Sequence, residues 1–269
     1  FKNTERFLDA CLQSILQQTY IHWELLIIDD RSSDRSTEIV QSYAESDSRV
    51  HLYSNDGNGI IEALQTGYKH AKGSFITRMD SDDIMTEIKL EQMLQSLQVH
   101  GDGHLALGLV HYFSKAGIGN GYKRYETWLN SLTSKGTNFD EIYKECVIPS
   151  PCWMVYKSDF DACGGFNSGT YPEDYDLAFR FFKQGLKCIA SNEVLHHWRD
   201  YAVRTSRVDA HYASWGNYGM RSLSWEPRNP ILNAASWADA NVLEQPWQEG
   251  SIHCGACEVE SHFMESRKY

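Results

Sequence analysis

The alternation of short apolar strands with amphipathic helices over the first hundred residues constrains this chain most. Phe7, Leu8, Cys11, Leu12, Ile15 and Leu16 recur at helical spacing, and Asn3 or Thr4 is placed to cap that helix. Residues 25–28 are a continuous apolar run, as in a strand covered on both faces. Asp29-Asp30-Arg31-Ser32-Ser33-Asp34 breaks it, and Ile39, Val40, Tyr43 and Ala44 mark a second helix. A short strand over 50–53 precedes the stripe Ile60, Ile61, Leu64, Tyr68 and Ala71, which Gly73 ends. Phe75-Ile76-Thr77-Arg78-Met79 then runs into Asp80-Ser81-Asp82-Asp83, and a helix from about Thr86 turns Leu90, Met93, Leu94 and Leu97 inward. This order predicts an α/β fold with a mostly parallel sheet and helices on both faces.

Such sheets bind ligands beyond the carboxyl ends of their strands. Both acid clusters, Asp29-Asp30 and Asp80-Asp82-Asp83, fall there. Helix capping accounts for one acid per helix, at Ser33 or Asp34. It does not account for three carboxylates within four residues, which repel and raise one another's pKa unless a cation sits among them. Oxygen-rich sites suit hard cations, so the second cluster is a candidate metal site. The chain carries 25 Lys and Arg against 36 Asp and Glu, a net charge of −11. That balance argues against nucleic acid as a partner, and an anionic substrate would need a metal ion or local cations.

Further along, Gly164-Gly165-Phe166 precedes Glu173-Asp174-Tyr175-Asp176-Leu177. Asp56-Gly57-Asn58-Gly59-Ile60 and Gln18-Thr19-Tyr20 with Trp23-Glu24-Leu25 stand earlier in the chain. Each motif alone is common. Together, in this order, they resemble the family 2 inverting glycosyltransferases of bacterial type, with the GT-A (Rossmann-like) fold. The likeness spans about residues 1 to 210.

The resemblance implies transfer of a sugar from a nucleotide-diphosphate donor, preferably a UDP-sugar, to an acceptor hydroxyl. It places Asp30 on the nucleotide base or ribose, with Gly59 and Arg199 also on the donor side. Asp82 and Asp83 resemble the family's DxD-type element, with Asp82 towards the ribose and Asp83 on a Mn²⁺ or Mg²⁺ ion, assisted by Asp80. A histidine late in the domain completes the metal site in some relatives, and His196 is the candidate here. The usual position two residues after an arginine is filled by Tyr201 instead. Asp174 is the implied general base, Glu173 is the runner-up on the acceptor side, and Tyr171-Pro172 shapes the entry. Arg204 and Arg207 are further counter-charges for phosphate. Trp153 and Tyr125 are candidate acceptor-side aromatics, although Trp153 in Cys152-Trp153-Met154-Val155-Tyr156 also reads as core.

Relatives begin with an apolar strand ahead of the first helix, and Phe1 stands directly before that helix, which we read as a truncation. The expected organisation is a GT-A domain over 1–212 and a Trp-rich extension over 213–269. In the extension, Cys254 and Cys257 have the spacing of half a zinc site, without a second pair. Seven scattered cysteines favour a reducing, cytoplasmic setting. The acceptor would be a carbohydrate or glycolipid used in surface polysaccharide or lipopolysaccharide assembly, with peripheral contact at the inner face of the membrane. Two rival readings remain open: a sugar nucleotidyltransferase and a non-catalytic nucleotide-sugar binding module.

Overall fold

The computed structural model describes residues 1–167, 169 and 172–204. The domain boundary at 212, the Trp-rich extension, Arg207, Tyr171, Cys254 and Cys257 lie outside the described residues.

Helix α1 (Glu5–Leu16) buries Leu8, Cys11, Leu12 and Ile15, the stripe its spacing predicts. It packs, together with Val40 of α2 (Ser36–Ser46), on strands β1 (Leu25–Asp29) and β2 (Val50–Ser54). These strands pair in parallel, from Leu25 opposite Val50 to Asp29 opposite Ser54. Phe1 extends the ladder: its nitrogen donates to the Ile28 carbonyl at 2.6 Å, and its carbonyl accepts from the Asp30 N–H at 2.9 Å. Helix α3 (Ile60–His70) covers β1, where Gly67 lies so close that an added Cβ would stand 3.4 Å from Ile28.

A second sheet has the order β3-β6-β5-β7-β4. Its members are β3 (Phe75–Thr77), β4 (Ile84–Met85), β5 (His104–Phe113), β6 (Trp153–Tyr156) and β7 (Lys187–Arg199). The α/β class and the helical cover are as expected, but a mostly parallel sheet is not what forms here. Only β5 and β7 run parallel in this sheet, and the β3–β6, β6–β5 and β7–β4 ladders are antiparallel. The cause lies in the covering layers. A strand buried on both faces is apolar throughout whichever way its neighbour runs. The runs at 105–107 and 153–155 therefore reveal burial and not direction.

Helix α4 (Lys89–His100) and helix α5 (Asn120–Lys135) contribute Met93, Leu94, Leu97 and Leu129 to one side of this sheet. Helix α6 (Lys157–Ala162) and helix α7 (Glu173–Lys183) contribute Phe160, Leu177, Ala178 and Phe181 to the other. Gly108 of β5 is required there, because a Cβ on it would meet Leu195 of β7 at 2.5 Å. Among the described residues no helix is long and apolar enough to cross a membrane.

Candidate active site

The short β4 fixes the acid cluster. Its antiparallel pairing sets Ile84 opposite His197 and Met85 opposite His196, so Asp83 enters the sheet beside the end of β7. The Asp83 side chain has no exposed surface. Its Oδ2 lies 3.0 Å from His196 Nε2, and its Oδ1 accepts the Arg199 backbone N–H at 2.7 Å. Arg199 also donates from Nε to the Asp82 carbonyl at 2.5 Å, with its guanidinium over the rings of Phe7 and Phe113. One arginine thus ties the acidic turn to both β7 and α1.

The carboxylates of this turn differ in charge balance. Burial, then repulsion from Asp83 and Asp80, pushes the Asp82 carboxyl up to about 6. Burial, then Asp80, pushes Asp83 up to about 7, against the pull of Arg204 and Arg199. At Asp80 burial acts in the same direction, but Arg78, Arg204 and His196 outweigh it and hold the carboxyl low. Asp80 Oδ1 receives Arg78 Nε at 3.1 Å.

Arg78 is the residue that joins the two halves of the site. It is 8 % exposed, and its Nη1 donates to Glu173 Oε1 at 2.9 Å. It therefore links the turn after β3 to the first residue of α7. Asp174, the next residue, is half-buried, and its Oδ1 accepts the Tyr175 N–H at 2.8 Å. Burial, then the Glu173 carboxylate, pushes the Asp174 carboxyl up to about 7, with Arg78 opposing and Asp80 adding to the rise. Arg78 thus joins Asp80 to Glu173, and Asp174 beside Glu173 feels the Asp80 charge. Tyr125 donates its hydroxyl to the Cys146 carbonyl at 2.8 Å, and the Tyr125 hydroxyl and the Cys146 thiol both feel the Asp174 charge. Trp153 is 2 % exposed and lies in the core, 5.7 Å from Phe160 and 5.5 Å from Phe181 between ring centroids.

Asp30 stands at the end of β1 in a different environment. Its Oδ1 accepts from Asn55 Nδ2 at 2.7 Å and from the Gly59 N–H at 3.1 Å, and Oδ2 faces Lys2 Nζ at 3.3 Å. Burial alone would raise its pKa, but the bonds from Gly59, Asn55 and Lys2 hold it below the usual carboxylate value. Gly59 has φ of 101°, a conformation open to glycine, and this turn brings its N–H onto Asp30. The Phe1 nitrogen feels Asp29, Asp30 and Asp80, so both acid clusters face the same edge of the fold.

Arg78, Asn55 and Lys89 were not among the residues read from motifs. Arg78 had a signal, since a cation inside the apolar run 75–79 must find carboxylates once that strand is covered. Lys89 had one in its spacing to Met93 and Leu97, which are buried on the same helix.

Among the described residues no three His, Cys, Asp or Glu side chains are arranged to hold a metal ion by themselves. The donor set nevertheless fits a hard cation shared with a ligand. Asp82 is repelled by Asp83 and Asp80, and Asp83 by Asp80, and Mg²⁺-type ions commonly use one or two carboxylates plus substrate phosphates.

Comparison with known proteins identifies the family and the fold. The family model for Glycosyl transferase family 2 matches residues 1–164. The glycosyltransferase GlyG of Streptococcus pneumoniae is 36 % identical over 205 residues, covering 73 % of this chain and 67 % of GlyG. GlyA of the same organism is 26 % identical over 77 % of this chain, which spans only 30 % of GlyA's length. The putative teichuronic acid biosynthesis glycosyltransferase TuaG of Bacillus subtilis is 25 % identical, covering 80 % of this chain and 83 % of TuaG. Among solved structures, residues 1–349 of Staphylococcus aureus TarS in complex with UDP-GlcNAc superpose with a TM-score of 0.63 at 15 % identity, covering 92 % of this chain and 66 % of that one. The mannosyltransferase PcManGT of Pyrobaculum calidifontis, in complex with GDP-Man and Mn²⁺, gives 0.59 at 16 % identity, covering 100 % and 79 %. This chain belongs to glycosyl transferase family 2 and has the GT-A fold of its structural neighbours.

Proposed function

We propose that this chain transfers a sugar, with inversion, from a nucleoside-diphosphate donor to a hydroxyl of a carbohydrate or lipid-linked acceptor in bacterial surface polysaccharide assembly. The observation that carries this reading is Asp174: a half-buried carboxyl near pH 7 in affinity, joined through Glu173 and Arg78 to the acidic turn. A general base works best when its pKa lies near the operating pH. Asp174 accepts the proton of the acceptor hydroxyl as that oxygen forms its bond to the anomeric carbon. The bond from that carbon to the diphosphate oxygen breaks on the opposite face, and the electron pair leaves with the diphosphate.

The remaining residues hold the partners. Asp30 and Gly59 form the donor's nucleoside end, and Arg199 braces the turn that faces the diphosphate. Asp82 and Asp83 would hold a Mn²⁺ or Mg²⁺ ion, which would neutralise charge growing on the leaving group. Arg78 holds the Glu173 side chain in place, and the neighbouring Glu173 carboxylate raises the proton affinity of Asp174. Glu173 and Tyr125 stand on the acceptor side. A UDP-sugar donor is favoured by the TarS complex with UDP-GlcNAc. A lipid-linked acceptor is favoured by WfgD of Escherichia coli, a UDP-Glc:alpha-D-GlcNAc-diphosphoundecaprenol beta-1,3-glucosyltransferase that is 42 % identical over 96 residues, 35 % of this chain and 37 % of WfgD.

The test is incubation with a panel of nucleotide sugars and Mn²⁺, following nucleoside diphosphate release with and without saccharide or diphospholipid acceptors. Acceptor-stimulated release supports transfer. Pyrophosphate release from a nucleoside triphosphate and a sugar phosphate, or binding without any turnover, contradicts it.

A further inference from the structure

Lys89 is the first residue of α4 and has no exposed surface. Burying a lysine is costly unless its ammonium finds partners. Its Nζ donates to the Pro151 carbonyl at 2.5 Å and stands 3.5 Å from His196 Nδ1. His196 is equally without exposure, and its other nitrogen, Nε2, lies 3.0 Å from Asp83 Oδ2. The other Asp83 oxygen is taken by the Arg199 N–H at 2.7 Å. A continuous buried line therefore runs from α4 through the imidazole to the carboxylate of the acidic turn. No motif marks it.

The chemistry of the line sets its polarity. A lysine ammonium offers only donors, and a carboxylate only acceptors. With the ammonium on one side and an ionised Asp83 on the other, the imidazole satisfies both in one tautomer alone, with Nδ1 bare towards Lys89 and the proton on Nε2 towards Asp83. We propose that Lys89 is a positioning residue for donor binding, holding His196 as the Nε2–H tautomer so that its N–H fixes the rotamer of Asp83. The role of Asp83 towards the donor rests on the function proposed above. The Lys89–His196–Asp83 line itself does not.

Partners that orient a ligating group typically change affinity by about 10- to 100-fold when removed. Lys89→Met should therefore weaken binding of a nucleoside diphosphate with Mn²⁺ by about 10-fold, and Lys89→Arg should recover most of the loss. The readout specific to positioning is ¹⁵N-histidine NMR of the ligand-free protein, with His196 assigned by its loss in His196→Gln. Wild-type protein should show His196 as the Nε2–H tautomer, and Lys89→Met should show a mixture or the opposite tautomer. Wild-type His196 with its proton on Nδ1 overturns the proposal, and this needs no variant of Lys89 to fold. A folded Lys89→Met protein with the same tautomer and unchanged nucleotide affinity also overturns it. If the tautomer changes while neither Lys89→Met nor Asp83→Asn alters nucleotide binding, the buried line stands, and the donor role of Asp83 and of Lys89 through it is overturned.

Discussion

Asp30 and Asp174 are carboxylates at the same edge of one fold, yet their surroundings push them in opposite directions. Asp30 accepts bonds from Asn55, Gly59 and Lys2 and is held below the ordinary carboxylate value. Asp174 lies beside Glu173 and is pushed up to about 7. Asp82 and Asp83 resemble Asp174 in this respect, at about 6 and about 7. The contrast separates two tasks. Around β1 the Asp30 carboxylate is satisfied internally, which gives the nucleoside end of the proposed donor site a fixed scaffold. Around the acidic turn and α7 the carboxyls of Asp82, Asp83 and Asp174 are raised, in keeping with the cation-holding and proton-accepting roles proposed for them.

Asp174→Asn should break the comparison most severely, because it removes the base and leaves the donor contacts. Transfer should fall by about 10²- to 10⁴-fold while donor affinity, read by calorimetry, stays unchanged. Arg78→Met comes next. It leaves Asp80 and Glu173 without their shared buried cation, and removing one partner from such a pair costs about 3–5 kcal/mol, measurable by urea unfolding. Asn55→Ala tests the quieter side. Loss of its bond to the Asp30 carboxylate, together with those to the Gly59 carbonyl and from the Gly57 N–H, should cost at least about 1.5–3 kcal/mol in the same unfolding experiment.

The pH dependence sharpens the contrast, and its sign differs between the two regions. Asp174 binds a proton more tightly in the folded chain than in the unfolded one. Between about pH 4 and its folded value of about 7 the native state therefore holds the extra proton, and stability falls as pH rises through that window. Asp30 does the reverse: its contribution is present above the unfolded value of 3.8 and is lost as pH falls further. Unfolding free energies of wild type and Asp174→Asn, measured from below the carboxylate value of 3.8 up to about pH 8, check this. The variant should lose part of the downward slope between about pH 4 and 7 and keep the acid limb below it.

The legibility of the sequence follows the same division. Helices α1 and α4 show themselves because each buries one stripe, and the apolar run of β1 marks a covered strand. Strand direction was hidden, since β5 and β6 would have the same composition in either orientation. The two-residue β4 was hidden too, lying between the acidic turn and Thr86 with no period of its own. At the site the carboxylates were legible because clustered like charges demand an explanation. Their partners were harder. Arg78 and Lys89 are single cations whose burial depends on contacts with Glu173 and His196, 95 and 107 residues away in sequence. Trp153 could serve either a core or a sugar face from sequence, and its neighbours Phe160 and Phe181 settle it in the core.

The central claim is that the acidic turn and the start of α7 serve one site. Paramagnetic relaxation from Mn²⁺ added with a nucleoside diphosphate tests it directly, using backbone amide signals of the labelled protein. The account predicts that signals from residues 80–83 and 173–175 broaden together and recover when Mg²⁺ replaces Mn²⁺. Broadening of residues 80–83 with 173–175 left sharp, or broadening centred elsewhere, would contradict it.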